Sequence, residues 1–211
     1  MFDLGGVIIT LDQPEAVRRF KALGLNDAEK IMDPYCQSGF FGDLEEGHID
    51  AETFRQELSR RTGHNVTFEE CRHAWLGYAH SLPQRNLDML QQLRQEGYRL
   101  LLLSNTNPYM MSWAMSPAFS LGPEAANMAD PQGKPISDYF DECYLSYKMK
   151  LMKPDETYFR TVLINEQTPP SACLFIDDAP RNVAVASQVG IHTYCPEEGE
   201  DWTQKIHQFL K

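Results

Sequence analysis

Two adjacent carboxylates, Asp177 and Asp178, follow directly on the apolar run Ala172-Cys173-Leu174-Phe175-Ile176. Apolar runs of this length, bounded by turn signals, read as buried parallel strands. Open α/β sheets place their chemistry just beyond the carboxyl ends of such strands. Two negative charges there repel unless a cation lies between them or one holds a proton. The same pattern occurs near the other end of the chain, where Phe2-Asp3-Leu4-Gly5-Gly6 sets an acid between a short apolar stretch and glycines. Acids at two strand ends, distant in sequence, predict one site for a hard divalent ion with oxygen ligands. Two further stations join them. Arg99-Leu100-Leu101-Leu102-Leu103 leads into the polar cluster Ser104-Asn105-Thr106-Asn107, and Lys153-Pro154-Asp155 reads as a helix opening with Pro154 in its first turn. Together Asp3, Ser104-Asn105, Lys153 and Asp177-Asp178 supply a nucleophile, hydrogen-bond donors, a cation and metal ligands. That inventory suits phosphoryl transfer, whose catalysis is mostly positioning and charge neutralisation.

The elements that must position these stations alternate in type. A helix through Leu87, Leu90 and Leu93 ends at Gly97, and a strand follows from Tyr98 to Leu103. Further helices are predicted over Asn107–Met115, Pro154–Asn165, Pro180–Val189 and Trp202–Leu210, with strands near Glu142–Ser146, Cys173–Ile176 and Ile191–Cys195. Strands alternating with helices imply a parallel sheet covered on both faces. The expected fold is therefore a three-layer, Rossmann-like α/β core of five or six parallel strands. Ser116–Pro135 carries four prolines and reads as a long surface loop. From Gln13 to Leu82 the pattern is helical instead. Asn26–Glu29 and Thr67–Glu70 have capping-box spacing, and Asp50 can cap a helix carrying Phe54 and Leu58 on one face. The expected division is a core of residues 1–11 and 83–211 with a helical unit of residues 12–82 inserted after the first strand.

The chain has 211 residues, 42% of them hydrophobic, enough for a full core and a smaller appended unit. A net charge of −11 argues against nucleic acid and anionic membranes as partners, so an anionic substrate must be drawn by local charge. No apolar run approaches the roughly 20 residues needed to span a bilayer. Met1-Phe2 leads straight into Asp3 and leaves no room for a leader. A central strand usually takes about 5–6 residues, so several native residues are expected to precede Met1. The five cysteines, Cys36, Cys71, Cys143, Cys173 and Cys195, show no paired metal spacing and read as thiols of a reducing cytoplasm.

Each station has a plain structural reading when taken singly. Asp3 is a turn residue, Asp177-Asp178 and Ser104-Asn105 are helix caps, and Lys153 is a solvated lysine. Trp75, Tyr78 and Phe54 read as packing of the helical unit, and Met110, Met111 and Met115 as packing elsewhere. The ordered set changes those readings. Phe-Asp-Leu-Gly-Gly-Val-Ile at 2–8, Leu-Ser-Asn-Thr-Asn at 103–107, Lys-Pro-Asp at 153–155 and Phe-Ile-Asp-Asp at 175–178 resemble the four ordered motifs of the haloacid dehalogenase superfamily. Within it the chain looks most like bacterial sugar-phosphate phosphatases of the α-glucose-1-phosphatase type.

The resemblance implies a Mg²⁺-dependent phosphatase of small phosphorylated metabolites, with residues 12–82 as a cap over the carboxyl ends of the strands. By that resemblance Asp3 attacks phosphorus and becomes a transient aspartyl phosphate. Mg²⁺ is held by the Asp3 carboxylate, the Gly5 carbonyl and Asp178, with Asp177 acting through a water. Ser104 and nearby amides bind phosphoryl oxygens, Lys153 balances the acids and contacts the transferring group, and Asn105 shapes the pocket. One departure matters: Gly5 stands where most phosphatases of the superfamily carry a second Asp as general acid and base. A good leaving group needs less acid assistance, and Asp43, Glu45 and His48 of the cap are the candidates to supply it. Two other readings remain open on sequence: a metal-independent 2-haloacid dehalogenase, and a catalytically weak phosphometabolite-binding protein.

Overall fold

The computed structural model describes residues 1–32, 37–197 and 199–210. Cys36 lies outside the described residues. The strands are β1 (Thr10–Leu11), β2 (Ala79–Ser81), β3 (Leu101–Ser104), β4 (Glu142–Leu145), β5 (Leu174–Ile176) and β6 (His192–Tyr194). Helices α1 (Gln13–Ala22), α2 (Ala28–Ile31), α3 (Gly39–Glu45), α4 (Ala51–Thr62) and α5 (Phe68–Trp75) fall between β1 and β2. Helices α6 (Gln84–Gln95), α7 (Pro108–Ala114), α8 (Ser146–Met149), α9 (Glu156–Asn165) and α10 (Pro180–Gln188) follow, interleaved with β3 to β6.

The sheet is parallel throughout its core. β3 pairs with β4, β5 pairs with β6, and Phe2 bridges Leu102 of β3 and Ile176 of β5. Phe2 N donates to Leu101 O, Leu103 N donates to Phe2 O, and Asp3 N donates to Ile176 O. The spatial order is β4, β3, Phe2, β5, β6, so Asp3 emerges at the centre of the sheet between the ends of β3 and β5. The expected first strand is thus a bridge of one residue.

Period-two alternation along β3 divides the core. Leu101 and Leu103 join Tyr144, Phe175 and the α9–α10 residues Tyr158, Phe159, Val162 and Ala186 on one face. Leu100 and Leu102 join Phe2, Leu87, Leu90, Met111, Leu145 and Trp202 on the other. Helices therefore cover both faces, which gives the expected three layers.

The helical block packs its own aromatic cluster. Phe20, Phe40, Phe41, Phe54 and Trp75 meet mostly edge to face, with Phe20–Phe41 centroids 4.8 Å apart and Phe41–Phe54 centroids 4.9 Å apart. Such pairs contribute about 0.5–1.5 kcal/mol each beyond their burial. Asp50 caps α4 through Thr53 N at 2.8 Å, and Thr67 and Glu70 close a reciprocal capping box on α5. Across the boundary, Tyr109 Oη of α7 donates to Ala51 O at 2.6 Å.

Several sequence expectations are corrected. The 12–82 block is not strand-free: β2 pairs antiparallel with β1, so the chain enters and leaves the block through one short ribbon. The Asn26–Glu29 box does not form. Asp27 occupies the N-cap of α2 without a side-chain bond, and Glu29 pairs with Lys21 instead. Pro154 precedes α9 rather than opening it, because Asp155 is the N-cap and accepts from Thr157 N at 2.7 Å. Residues 116–135 are not simply a surface loop. Short 3₁₀ turns bury Ala118, Phe119, Ala125 and Ala126, with Phe119 against Trp113. The terminal helix is two 3₁₀ turns, Trp202–Gln204 and Ile206–Gln208, pinned by Trp202 Nε1 donating to Val7 O at 2.8 Å. Met115, expected to pack, is exposed. The described cysteines Cys71, Cys143, Cys173 and Cys195 are free thiols. Among the described residues no helix is long and apolar enough to cross a membrane.

Candidate active site

The four stations converge at the carboxyl ends of β3, Phe2 and β5. Lys153 Nζ lies 2.9 Å from Asp3 Oδ1 and 2.6 Å from Asp177 Oδ2, with the lysine side chain only 1% exposed. Carboxylate oxygens of Asp3, Asp177 and Asp178 all lie within 4.8 Å of one another. A cavity of about 90 Å³ opens on this cluster; Asp3, Gly5, Ser104, Asn105, Lys153 and Asp178 line it.

Each side chain is held by its local backbone. After Asp3 the chain folds back at once: Gly6 N donates to Ile9 O, and Ile8 N and Ile9 N both donate to Leu4 O. Buried Asn86 clasps that loop from α6, donating to Val7 O at 3.0 Å and Ile8 O at 2.9 Å. Asp3 Oδ1 also accepts from Leu4 N at 2.7 Å, and among the described residues no hydrogen bond engages Oδ2. Asn105 holds the Lys153 backbone from both sides, its Nδ2 donating to Lys153 O at 2.8 Å and its Oδ1 accepting from Lys153 N at 2.9 Å. Its carboxamide is therefore spent on placing the lysine. Ser104 is buried at the end of β3 beside this clamp, and Thr106 N is taken by Ser146 Oγ at 2.9 Å.

The three acids have different surroundings. Asp177 is fully buried and saturated: Oδ1 accepts from Ala179 N at 2.9 Å, Oδ2 from Lys153, and Asn182 Nδ2 reaches both oxygens. Such an acid orients the lysine and leaves direct ligation to others. Burial raises the Asp3 carboxyl to about 8 against the pull of Lys153, with Asp177 and Asp178 adding repulsion. Burial alone would lower the Lys153 ammonium, but Asp177 and Asp3 outweigh it and hold its pKa above the ordinary lysine value.

Three carboxylates converge around Lys153, and their donor set is oxygen only. The residues present therefore fit a hard divalent ion such as Mg²⁺, with carboxylates of Asp3 and Asp178 on the cavity wall. Gly6 makes the cluster possible. Its φ is +73°, and a Cβ there would sit 2.0 Å from Asp178 Oδ2. Gly6→Ala is expected to displace Asp178, lower divalent-metal affinity at least about tenfold and cost about 1–2 kcal/mol for the left-handed backbone. Mg²⁺ titration calorimetry and urea unfolding check both effects; unchanged Mg²⁺ affinity would contradict the placement of Asp178.

Of the three cap candidates for proton transfer, one reaches the cavity. Glu45, at the end of α3, is 7% exposed and lines it. Asp43 and His48 are half-exposed or more, 3.6 Å apart and away from its lining. Sequence reasoning missed Asn182 and Asn107. The only signal for Asn182 was its place in the first turn after the acid pair. Asn107 caps α7, its Oδ1 accepting from Tyr109 N and Met110 N at 3.1 Å each. Trp75 and Tyr78, besides packing, form a wall of the cavity.

The family profile for haloacid dehalogenase-like hydrolases matches residues 1–190. A D-ribitol-5-phosphate phosphatase from Bacteroides thetaiotaomicron is 41% identical over 210 residues, covering 100% of this chain and 97% of that protein. A HAD-like hydrolase from Porphyromonas gingivalis superposes with a TM-score of 0.88 at 42% identity, covering 100% of this chain and 96% of that one. A HAD enzyme from Bacteroides thetaiotaomicron, solved with magnesium and inorganic phosphate, superposes with a TM-score of 0.82 at 34% identity, covering 96% of each chain. The motifs, the parallel sheet with its acids at the strand ends, and these matches over nearly the whole length agree, and the chain belongs to the haloacid dehalogenase-like hydrolases.

Proposed function

We propose that this protein is a Mg²⁺-dependent phosphatase of small phosphorylated metabolites, sugar or polyol phosphates among them, acting through an aspartyl phosphate. One observation carries the reading: Lys153 Nζ is buried between Asp3 and Asp177 while oxygens of Asp3, Asp177 and Asp178 gather within 4.8 Å. The D-ribitol-5-phosphate phosphatase relative and the magnesium–phosphate complex of a Bacteroides thetaiotaomicron HAD enzyme support it.

In the reaction Asp3 Oδ2 forms a bond to phosphorus and the bond to the leaving oxygen breaks. Water then adds to phosphorus, the Asp3 ester opens, and inorganic phosphate departs. Ser104 and Lys153 hold the phosphoryl oxygens, Asn105 and Asp177 hold Lys153, and Asp3, Asp178 and the Gly5 carbonyl would hold the metal. Mg²⁺ bound there supplies charge neutralisation for the transferring group. Residues 12–82 act as the cap on a core of 1–11 and 83–211, closing the cavity from water and setting substrate shape. The free thiols support a reducing, cytoplasmic setting, and the net charge of −11 speaks against nucleic acid as a partner.

A panel of phosphorylated metabolites, assayed with Mg²⁺ and with EDTA, tests this. Phosphate release that disappears with EDTA and returns with Mg²⁺ is expected. Halide release from a 2-haloacid, unaffected by EDTA, would favour the dehalogenase reading. Micromolar binding of a sugar phosphate with no turnover at saturating Mg²⁺ would make the chain a binding protein.

A further inference from the structure

The geometry points to Glu45 of the cap as the group that protonates the leaving oxygen, replacing the side chain absent at Gly5. This rests on the reading of Asp3 as nucleophile. At Gly5 itself nothing can serve. A Cβ there would meet Leu11 Cδ1 at 3.1 Å, so a leucine side chain covers that position and no acid stands in its place.

Among the described titratable residues that line the cavity, Asp3 attacks, Asp178 faces the metal position, Lys153 is the buried clamp, and Tyr78 Oη already donates to Gln37 Oε1 at 3.2 Å. Glu45 remains. Its approach is fixed by the turn that follows α3: Gly47 has φ +71°, and a Cβ there would lie 2.2 Å from Tyr147 O, so the turn sits flush on the backbone of α8. Asn107 faces Glu45 from the other side. It is wholly buried, its Oδ1 is spent on α7, and its Nδ2 reaches no partner in hydrogen-bond geometry among the described residues. Burial raises the Glu45 carboxyl to about 8, with Asn107 pulling it down and Glu46 adding repulsion, so the acid carries its proton at neutral pH.

The steps balance. As the Asp3–phosphorus bond forms and the phosphorus–oxygen bond breaks, the leaving oxygen takes the Glu45 proton and departs as an alcohol, leaving Glu45 as carboxylate. When water attacks the aspartyl phosphate, Glu45 takes its proton and returns to the starting state.

The test compares wild type and Glu45→Gln on two substrates: p-nitrophenyl phosphate, whose leaving group departs without a proton, and an alkyl phosphate turned over by the wild type. The parameter is kcat/KM, which reports the first phosphoryl transfer. For Glu45→Gln the alkyl phosphate is expected to lose about 10²–10⁴-fold and p-nitrophenyl phosphate less than about tenfold. Equal losses on both, or near-native kcat/KM on the alkyl phosphate, would overturn the assignment. If Glu45→Gln does not fold by circular dichroism, Glu45→Asp is read the same way, with a smaller loss again confined to the alkyl phosphate. A wild type inactive on both substrates would sink the phosphatase reading itself, a result distinct from either outcome for Glu45.

Discussion

Lys153→Ala is expected to lose about 10²–10³-fold in kcat, the usual cost of removing a preorganised group aimed at a developing oxyanion. The ammonium lies 2.9 Å from Asp3 and 2.6 Å from Asp177 with 1% exposure, so its removal strips both acids of their shared counter-charge. Asp3 loses the cation paired with it in the buried site. Breaking a buried pair from one side costs about 3–5 kcal/mol, so urea unfolding without Mg²⁺ should show a clear loss of stability. Asn105 holds Lys153 through its backbone N and O, so the loop keeps its anchor and the change isolates the side chain. Lys153→Arg keeps the charge but forces a planar fork into a site enclosed around a compact donor, and it should fall between wild type and Lys153→Ala in activity. Near-native turnover in a folded Lys153→Ala protein would reduce this lysine to a structural ion pair.

Asp3, Ser104 and Asp177-Asp178 were legible in sequence because each ends or follows an apolar run, and parallel strands display their carboxyl ends that way; Lys153 was legible because it stands before Pro154 at an expected helix opening. The geometry added what periodicity cannot carry. Asn182 and Asn107 act through contacts made only once α10 and α7 dock, and asparagine near a helix start looks alike whether it caps or braces. The β1–β2 ribbon of two and three residues is too short to show alternation. The 3₁₀ turns in residues 116–135 and 202–208 arise where Phe119 and Trp202 find partners distant in sequence. Asp43, Glu45 and His48 could not be separated by spacing, since only the packing of α3 on α8 decides which of them enters the cavity.

Asp3→Asn is the second variant with a large expected effect, a loss of several orders of magnitude in turnover with the fold retained. The amide is nearly isosteric, keeps an oxygen for Leu4 N and relieves the repulsion from Asp177 and Asp178. It cannot displace a leaving oxygen from phosphorus at a useful rate. The most direct measurement is rapid acid quench of wild type mixed with an equimolar labelled substrate, followed by peptide mass spectrometry, with Asp3→Asn alongside. A phosphoryl ester is expected on the peptide containing Asp3 during turnover, and no such ester in Asp3→Asn. Full phosphate release by Asp3→Asn, or a phosphoryl ester found on another residue, would contradict it.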